Sequence, residues 1–427
     1  MVQKICVVLF FLTCVFFSVA NCQVLTGLDE LVANKYSQLK GKKVGFIANK
    51  TSVTSSGEFA PSLFTKQKVC KLVALFSPEH GFLGERKAGV KSDVEEKYEG
   101  VPVYSLYGTT RKPTKKMLSG ITTLVFDIQD IGLRPYTYLS TMIYTMEAAA
   151  ENNIEFVVLD RPNPLSGERI EGNIIDTSLI SFVGVIPIPY LHGMTLGELA
   201  QMAKGERWFR GAEKLKLSVI NMSGWKRKMY WSETGLKWIP PSPNIPTSES
   251  AVGCAMLGAI GELGNLSVGI GSDLPFQRIG SKLVQPQFLE QAVQSSLPKG
   301  ILAKREDYTV PFADSSKTFL GMRIELPKNI SSVDRLYGFE FSILKKLLAD
   351  SVFAKSFRAL PMSTQKMFEK VTGVHNFAQL FTSDKVTHTL AADGSSHITN
   401  QVEGEMAYWY MDESFFRTTR KKYLLYN

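Results

Sequence analysis

Five cysteines in 427 residues are too few for a disulfide scaffold, and three of them, Cys6, Cys14 and Cys22, fall within the first 22 residues. Cys70 and Cys254 remain, and they either pair or stay buried as thiols. Metal-ligand spacing is missing. His80, His192, His375, His388 and His397 are scattered, with no H-x-x-x-H or H-E-x-x-H, so no metal is expected. No G-x-G-x-x-G follows the first apolar strand and no Gly-Lys-Ser/Thr closes a glycine-rich loop, which leaves a nucleotide cofactor without support. The absence of G-x-S-x-G removes the nucleophile elbow of serine esterases and amidases. Lys and Arg exceed Asp and Glu by nine (49 against 40), an excess spread along the chain that does not point to nucleic acid. With 44% hydrophobic and 21% charged residues, the composition is that of a folded globular protein rather than a disordered or multi-span membrane chain.

What the chain does have begins with a leader. Lys4 supplies a positive start, Ile5 to Phe17 form an apolar stretch, and Ser18 and Ala20 follow as small residues. This is the pattern of a secretory signal peptide over residues 1–22. The expected location is therefore outside the cytoplasm, periplasmic or extracellular. Cleavage falls after Ala20 or after Cys22. The alternative is a lipid anchor on Cys22, against which Asn21 stands where a small residue is usual.

Beyond Lys42, short apolar runs alternate with helical stretches. KKVGFIAN (42–49), VCKLVALFSP (69–78), TTLVFDIQD (122–130) and IEFVVLD (154–160) read as buried strands, and 137–153 as a helix. Strands spaced by helices predict a parallel α/β sheet, whose ligands bind at the carboxyl ends of the strands. Those ends carry Asn49, the Ser77-Pro78-Glu79-His80 turn, Asp127 to Asp130, and Asp160 to Asn163. Thr195 and Glu198 have capping-box spacing at the start of a helix, and LSVINM (217–222) is a further strand. The proline-rich 238–250 is expected to be irregular and to mark a boundary. A first domain over 23–250 and a smaller α/β domain over 251–427 follow. The second is expected to hold a glycine-rich segment (253–271), a strand at 321–327, and helices near 335–349 and beyond 405.

Several clusters could carry chemistry. Glu79 is either a partly desolvated proton donor or a helix cap, and His80 either assists it or braces the turn. Asp127, Gln129 and Asp130 crowd one strand end, with Arg134, Tyr136 and Tyr138 beyond. Arg134 either clamps a substrate carboxylate or pairs with an internal Asp. Asp160, Arg161 and Asn163 follow the next strand. Asn244 lies between prolines, and Glu262 opens GELGNLSVGIGSDLPF. Carboxyl groups, amides, Arg, His and aromatic rings suit acid/base chemistry on carbohydrate.

These blocks together, namely SPEHGFLGE, PVYSLYG, FDIQDIGLRPYTY, VLDRPNPLSG, HGMTLGELA, PPSPNIPT and KKYLLY, resemble the NamZ-type exo-β-N-acetylmuramidases, long grouped as a domain of unknown function. The resemblance runs from about Gly41 to the C-terminus. It implies a Rossmann-like N-terminal domain, a smaller α/β C-terminal domain and an active site in the cleft between them. The implied reaction is release of N-acetylmuramic acid from the non-reducing end of peptidoglycan fragments, without a cofactor. A sugar-binding protein that has lost turnover is the alternative. Carried over, Glu79, His80, Asp127 and Asp130 are the catalytic candidates. Asn49, Gln129, Arg134, Tyr136, Tyr138, Asp160, Arg161, Asn163, His192, Asn244 and Glu262 are the substrate-binding ones. Muramic acid bears a lactyl carboxylate, for which Arg134 is preferred over Arg161. One departure stands out: ELGNLSVGIGS (262–272) replaces a family stretch of the form E-G-T-N-x-S-x-G-R-G-T, which puts Ile270 where Arg is usual.

Overall fold

The computed structural model describes residues 23–84, 96–312, 315–375, 386–390 and 396–427; the leader and Cys22 lie outside the described residues. Seven strands, β1 (Lys43–Ala48), β2 (Lys71–Ser77), β3 (Glu96–Tyr98), β4 (Val101–Ser105), β5 (Thr123–Asp127), β6 (Glu155–Leu159) and β7 (Leu217–Ile220), form one sheet in the order β3-β4-β2-β1-β5-β6-β7. All neighbours are parallel except β3 and β4 at one edge. The central strands are apolar without alternation because helices cover both faces. Leu28 and Leu31 of α1 (Gly27–Ala33) and Phe64 of α2 (Ala60–Lys66) pack on one face. The other is covered by α3 (Thr137–Glu151) and α4 (Leu196–Gly205). The expected capping box starts α4: Thr195 Oγ1 accepts from the Glu198 N–H, and the Glu198 carboxylate accepts from the Thr195 N–H.

The second half opens with α5 (Ser248–Leu257), N-capped by Thr247, so the helix begins inside the stretch expected to be irregular. The glycine-rich segment therefore starts within a helix. Gly253 is needed for contact rather than flexibility, since a Cβ there would meet the Phe276 carbonyl. A three-stranded antiparallel sheet follows, with β8 (Arg278–Gly280) and β9 (Leu302–Arg305) flanking β12 (Gly321–Glu325). Beside it lie α6 (Pro286–Gln294), the β10–β11 hairpin (Tyr308–Phe312, Ser315–Phe319), α7 (Phe339–Leu347), α8 (Ser351–Arg358) and α9 (Met362–Thr372). A hairpin, β13–β14 (Val386–Leu390, Ser396–Asn400), leads into α10 (Gln401–Thr419). Cys70 and Cys254 are both free thiols.

The two halves share their interiors. Ile131, Leu133, Leu165, Tyr190 and Leu191 belong to the same buried cluster as α5, α7 and α9. In return Phe416, late in α10, enters the core of the first sheet. The sequence after it stays there, and Tyr426 donates its hydroxyl to Asp160 at 2.7 Å.

Arg134, expected in the cleft, is wholly buried and joins the halves. Its Nη1 donates to the carbonyls of Asn173 (2.7 Å) and Ile188 (2.9 Å), and its Nη2 to those of Val371 (3.2 Å) and Thr372 (2.7 Å). The latter two are last-turn carbonyls of α9, where a cation complements the helix dipole. Burial still draws the guanidinium down to about 10. Gly373 follows at φ +75, and a Cβ there would lie 2.7 Å from Arg134 Nη2, so the cap demands glycine twice over.

A second set of polar groups holds the strand ends. Arg161 Nε and Nη2 fork onto Asp127, and Nη2 also donates to the Val53 carbonyl. Asp160 accepts from Thr195 Oγ1 and the Gly197 N–H at the start of α4. Asn49 Oδ1 holds Thr51, Gln129 Nε2 donates to the Asp130 and Pro162 carbonyls, and Asn163 bridges Met194 and Leu165. His192 Nδ1 accepts from the Met194 N–H, and burial, helped by the Arg420 charge, draws that imidazole down to about 3. Asp130 accepts from the Gly132 N–H, and burial lifts its carboxyl to about 7.

Two measurements test this frame. Arg134→Met leaves several buried carbonyls without a donor and is expected to lower unfolding free energy by roughly 3–5 kcal/mol in denaturant titration. Arg134→Lys should restore only part, because one ammonium cannot reach in both directions. For Asp130, the folded state keeps a proton that the unfolded chain releases near pH 4. Its contribution is thus complete below pH 4 and lost as pH rises through about 7. Asp130→Asn should gain in melting temperature relative to wild type between pH 4 and pH 8; a constant offset would exclude this titration.

Candidate active site

Between the halves lies a cleft of about 420 Å³. The first half contributes Glu79 and His80 after β2, Tyr107 after β4, Ile131, Leu133, Pro135, Tyr136 and Thr137 after β5, and Ser242 and Asn244 of the proline-rich loop. The second contributes Cys254, Glu262, Ile270 and Phe276, with Met367 and Val371 from α9. A smaller cavity of about 170 Å³, lined by Thr51, Gln129, Arg161 and Trp231, opens at the switch point between β1 and β5. None of the described residues in its lining carries a carboxyl group, whereas Glu79 and Glu262 line the larger of the two.

Glu79 owes its position to the turn that ends β2. The Gly81 N–H donates to the Pro78 carbonyl, while His80 and Gly81 both take positive φ (70° and 79°). A non-glycine residue in the left-handed region carries local strain that the surroundings must hold. Glu79 is 8% exposed. Its Oε2 accepts from Thr137 Oγ1 at 2.7 Å, at the first residue of α3. The Tyr107 hydroxyl also hydrogen-bonds to this carboxylate, and burial, with the Glu79 charge adding to it, pushes that phenol up to about 12. Glu262 comes from the other half. Burial raises its carboxyl, and the Glu79 charge raises it further. Two carboxyl groups, one from each half, therefore act on each other across one cavity.

Of the candidates read from the sequence, the cleft gathers Glu79, His80, Tyr136, Asn244 and Glu262. The remaining candidates are turned to partners inside the protein. Asp127 and Arg161 neutralise each other, Asp160 caps α4, and Asp130, Asn49, Gln129, Asn163 and His192 brace turns. Tyr138 donates its hydroxyl to the Pro241 carbonyl and packs edge-on against Tyr136, at 4.8 Å between centroids. It thereby fixes the proline-rich loop over the cleft. Arg134 reaches only carbonyls, so the expected lactyl contact has no donor there. The reason is common to all: a parallel sheet buries its strand ends, and charges buried there must be paired. Sequence reasoning missed Tyr107 and Thr137 as neighbours of Glu79. Both lie in quoted blocks, PVYSLYG and RPYTY, but nothing in their spacing tells which face they take.

Comparison with known proteins fits this geometry. The description "Exo-beta-N-acetylmuramidase NamZ, N-terminal" matches residues 44–249, and its C-terminal counterpart matches 255–426. The chain is 44% identical over 298 residues to the peptidoglycan beta-N-acetylmuramidase NamZ of Bacillus subtilis (strain 168), covering 69% of this chain and 70% of that protein. A crystal structure of a DUF1343 family protein from Bacteroides fragilis NCTC 9343 superposes with a TM-score of 0.83 at 35% identity, covering 95% of this chain and 99% of that one. A second such protein from the same organism gives 0.64 at 27% identity, with the same coverage. The two-domain fold, the cleft between its halves and both halves of the sequence place this chain in the NamZ exo-β-N-acetylmuramidase family.

Proposed function

We propose that this protein is an exo-acting glycosidase that releases N-acetylmuramic acid from the non-reducing end of peptidoglycan fragments. The observation that carries the reading is the pairing of Glu79 and Glu262 across one cleft. Hydrolysis of a glycosidic bond needs one carboxyl group to protonate the leaving oxygen and a second, ionised, to balance charge developing at the sugar. Glu262, raised by burial and by its neighbour's charge, is the group suited to retain a proton. Glu79 accepts hydrogen bonds from Thr137 and Tyr107, which hold its carboxyl group in place in the cleft. From the sequence, Glu79 is the proton-donor candidate and Glu262 a substrate-binding one. Tyr136 offers a ring for a pyranose, and Asn244 an amide for its hydroxyl or acetamido groups.

Export belongs to the same proposal. The positive start, apolar stretch and small residues of 1–22 are what a secretion apparatus reads, and peptidoglycan lies outside the cytoplasmic membrane.

Glu79→Gln and Glu262→Gln are each expected to keep the wild-type melting transition and to lose at least about 10²-fold in turnover on a chromogenic muramyl glycoside. In Glu79→Gln the Glu262 carboxyl should also titrate lower, since a neighbouring charge is gone; carbon-detected NMR reads that shift. Retained turnover in either variant would remove that residue from the chemistry. Mass analysis of the mature chain should find residue 21 or 23 at its N-terminus, or a lipid on Cys22. A retained Met1 would contradict export.

A further inference from the structure

None of the described residues lining the cleft is Lys or Arg, and Ile270 stands in its wall. A carboxylate-bearing sugar held beside Glu79 and Glu262 would meet negative charge with no counter-charge among the described lining residues. The guanidinium groups nearest by sequence logic are engaged elsewhere. Arg134 holds carbonyls, Arg161 holds Asp127, and Arg278 holds Asp273 and Glu306.

Arg111 differs from all of these. It is half-buried beside the cleft, in a side pocket shared with Thr110, Tyr144 and Glu147, with its guanidinium carbon 4.0 Å from the Phe182 ring centroid and 5.6 Å from that of Tyr107. It makes no ion pair among the described residues, whereas its neighbour Lys112 takes both Glu147 and Glu151. Stacking on a ring fixes the plane of a guanidinium without using its N–H donors. Tyr107 is the wall between Arg111 and the cleft, and its hydroxyl reaches Glu79. Arg111 thus stands one ring away from the carboxylate pair, and its charge is felt at the Tyr107 hydroxyl, where it opposes the upward shift.

We propose that Arg111 is a specificity residue that receives the carboxylate of an acidic sugar bound in the cleft. This rests on the glycosidase reading above. The carboxylate has two sources of the same chemistry: the lactyl ether on the sugar ring, or the end of a short peptide attached to it. A planar fork of N–H groups, oriented and without an anion, suits either.

The test uses chromogenic β-glycosides of N-acetylmuramic acid, of its lactyl carboxamide, of the muramyl dipeptide and of that dipeptide's terminal amide, on wild type and Arg111→Met. If the lactyl group is the ligand, wild type should prefer the acid over its carboxamide by about tenfold in kcat/KM, and Arg111→Met should bring that ratio close to one. If the peptide end is the ligand, the ratio collapses instead between the dipeptide and its amide. A preference that survives Arg111→Met in both pairs overturns the proposal. So does an equal loss on acid and carboxamide, which marks a merely structural role. Should wild type cleave none of the glycosides, the glycosidase reading fails. Calorimetric titration of the free sugar acid and its carboxamide into both proteins then still decides the role of Arg111.

Discussion

The buried Arg134 guanidinium ties the first half to α9, within an interior the two halves share. Among the described residues Arg134 has no carboxylate hydrogen-bonded to it; its partners are carbonyl oxygens from two segments of the first half and from the last turn of α9. Guanidinium donors lie in one plane at fixed angles, so those carbonyls can be satisfied together in only one arrangement. The consequence reaches the cleft, because Met367 and Val371 of α9 form part of its wall. Arg134 itself follows the β5 end by a few residues and lies two residues before Tyr136 and three before Thr137. Whatever separates Glu79 from Glu262 is therefore set by a contact that touches neither.

The strand ends follow a related logic. Open parallel sheets commonly present polar groups at their carboxyl edge to a ligand. Here the Asp127–Arg161 fork and the Asp160 cap close much of that edge, leaving a small cavity without acids. The Glu79 and Glu262 carboxyl groups sit to one side, where the turn after β2 faces the second half. Pairing inside the sheet removes net charge from the edge, so the Glu79–Glu262 coupling is not masked by nearby arginines.

Much of the fold was readable because it is written in apolar runs. β1, β2, β5, β6 and β7 and the α4 capping box fall where 42–49, 69–78, 122–130, 154–160, 217–222 and Thr195–Glu198 put them. β3 and β4 were not read, since the first is three residues long and the second carries Pro102 near an edge. The start of α5 was hidden by the prolines before it. The site was readable in part: Glu79, His80, Tyr136, Asn244 and Glu262 reach the cleft. Asp127, Asp160, Arg134 and Arg161 have the residue types of a site and the burial of a frame. Sequence spacing cannot separate those two uses, because both need charge at a strand end. Only the partner decides, and the partners lie tens to hundreds of residues away.

The Tyr426–Asp160 hydrogen bond spans 266 residues of chain. The sheet is otherwise assembled from residues before 221, yet its β6 end lacks one hydroxyl until almost the whole sequence has been synthesised. Contacts of such separation form late, since the intervening loop entropy must be overcome first. Completion of the first half thus waits for translation of the second.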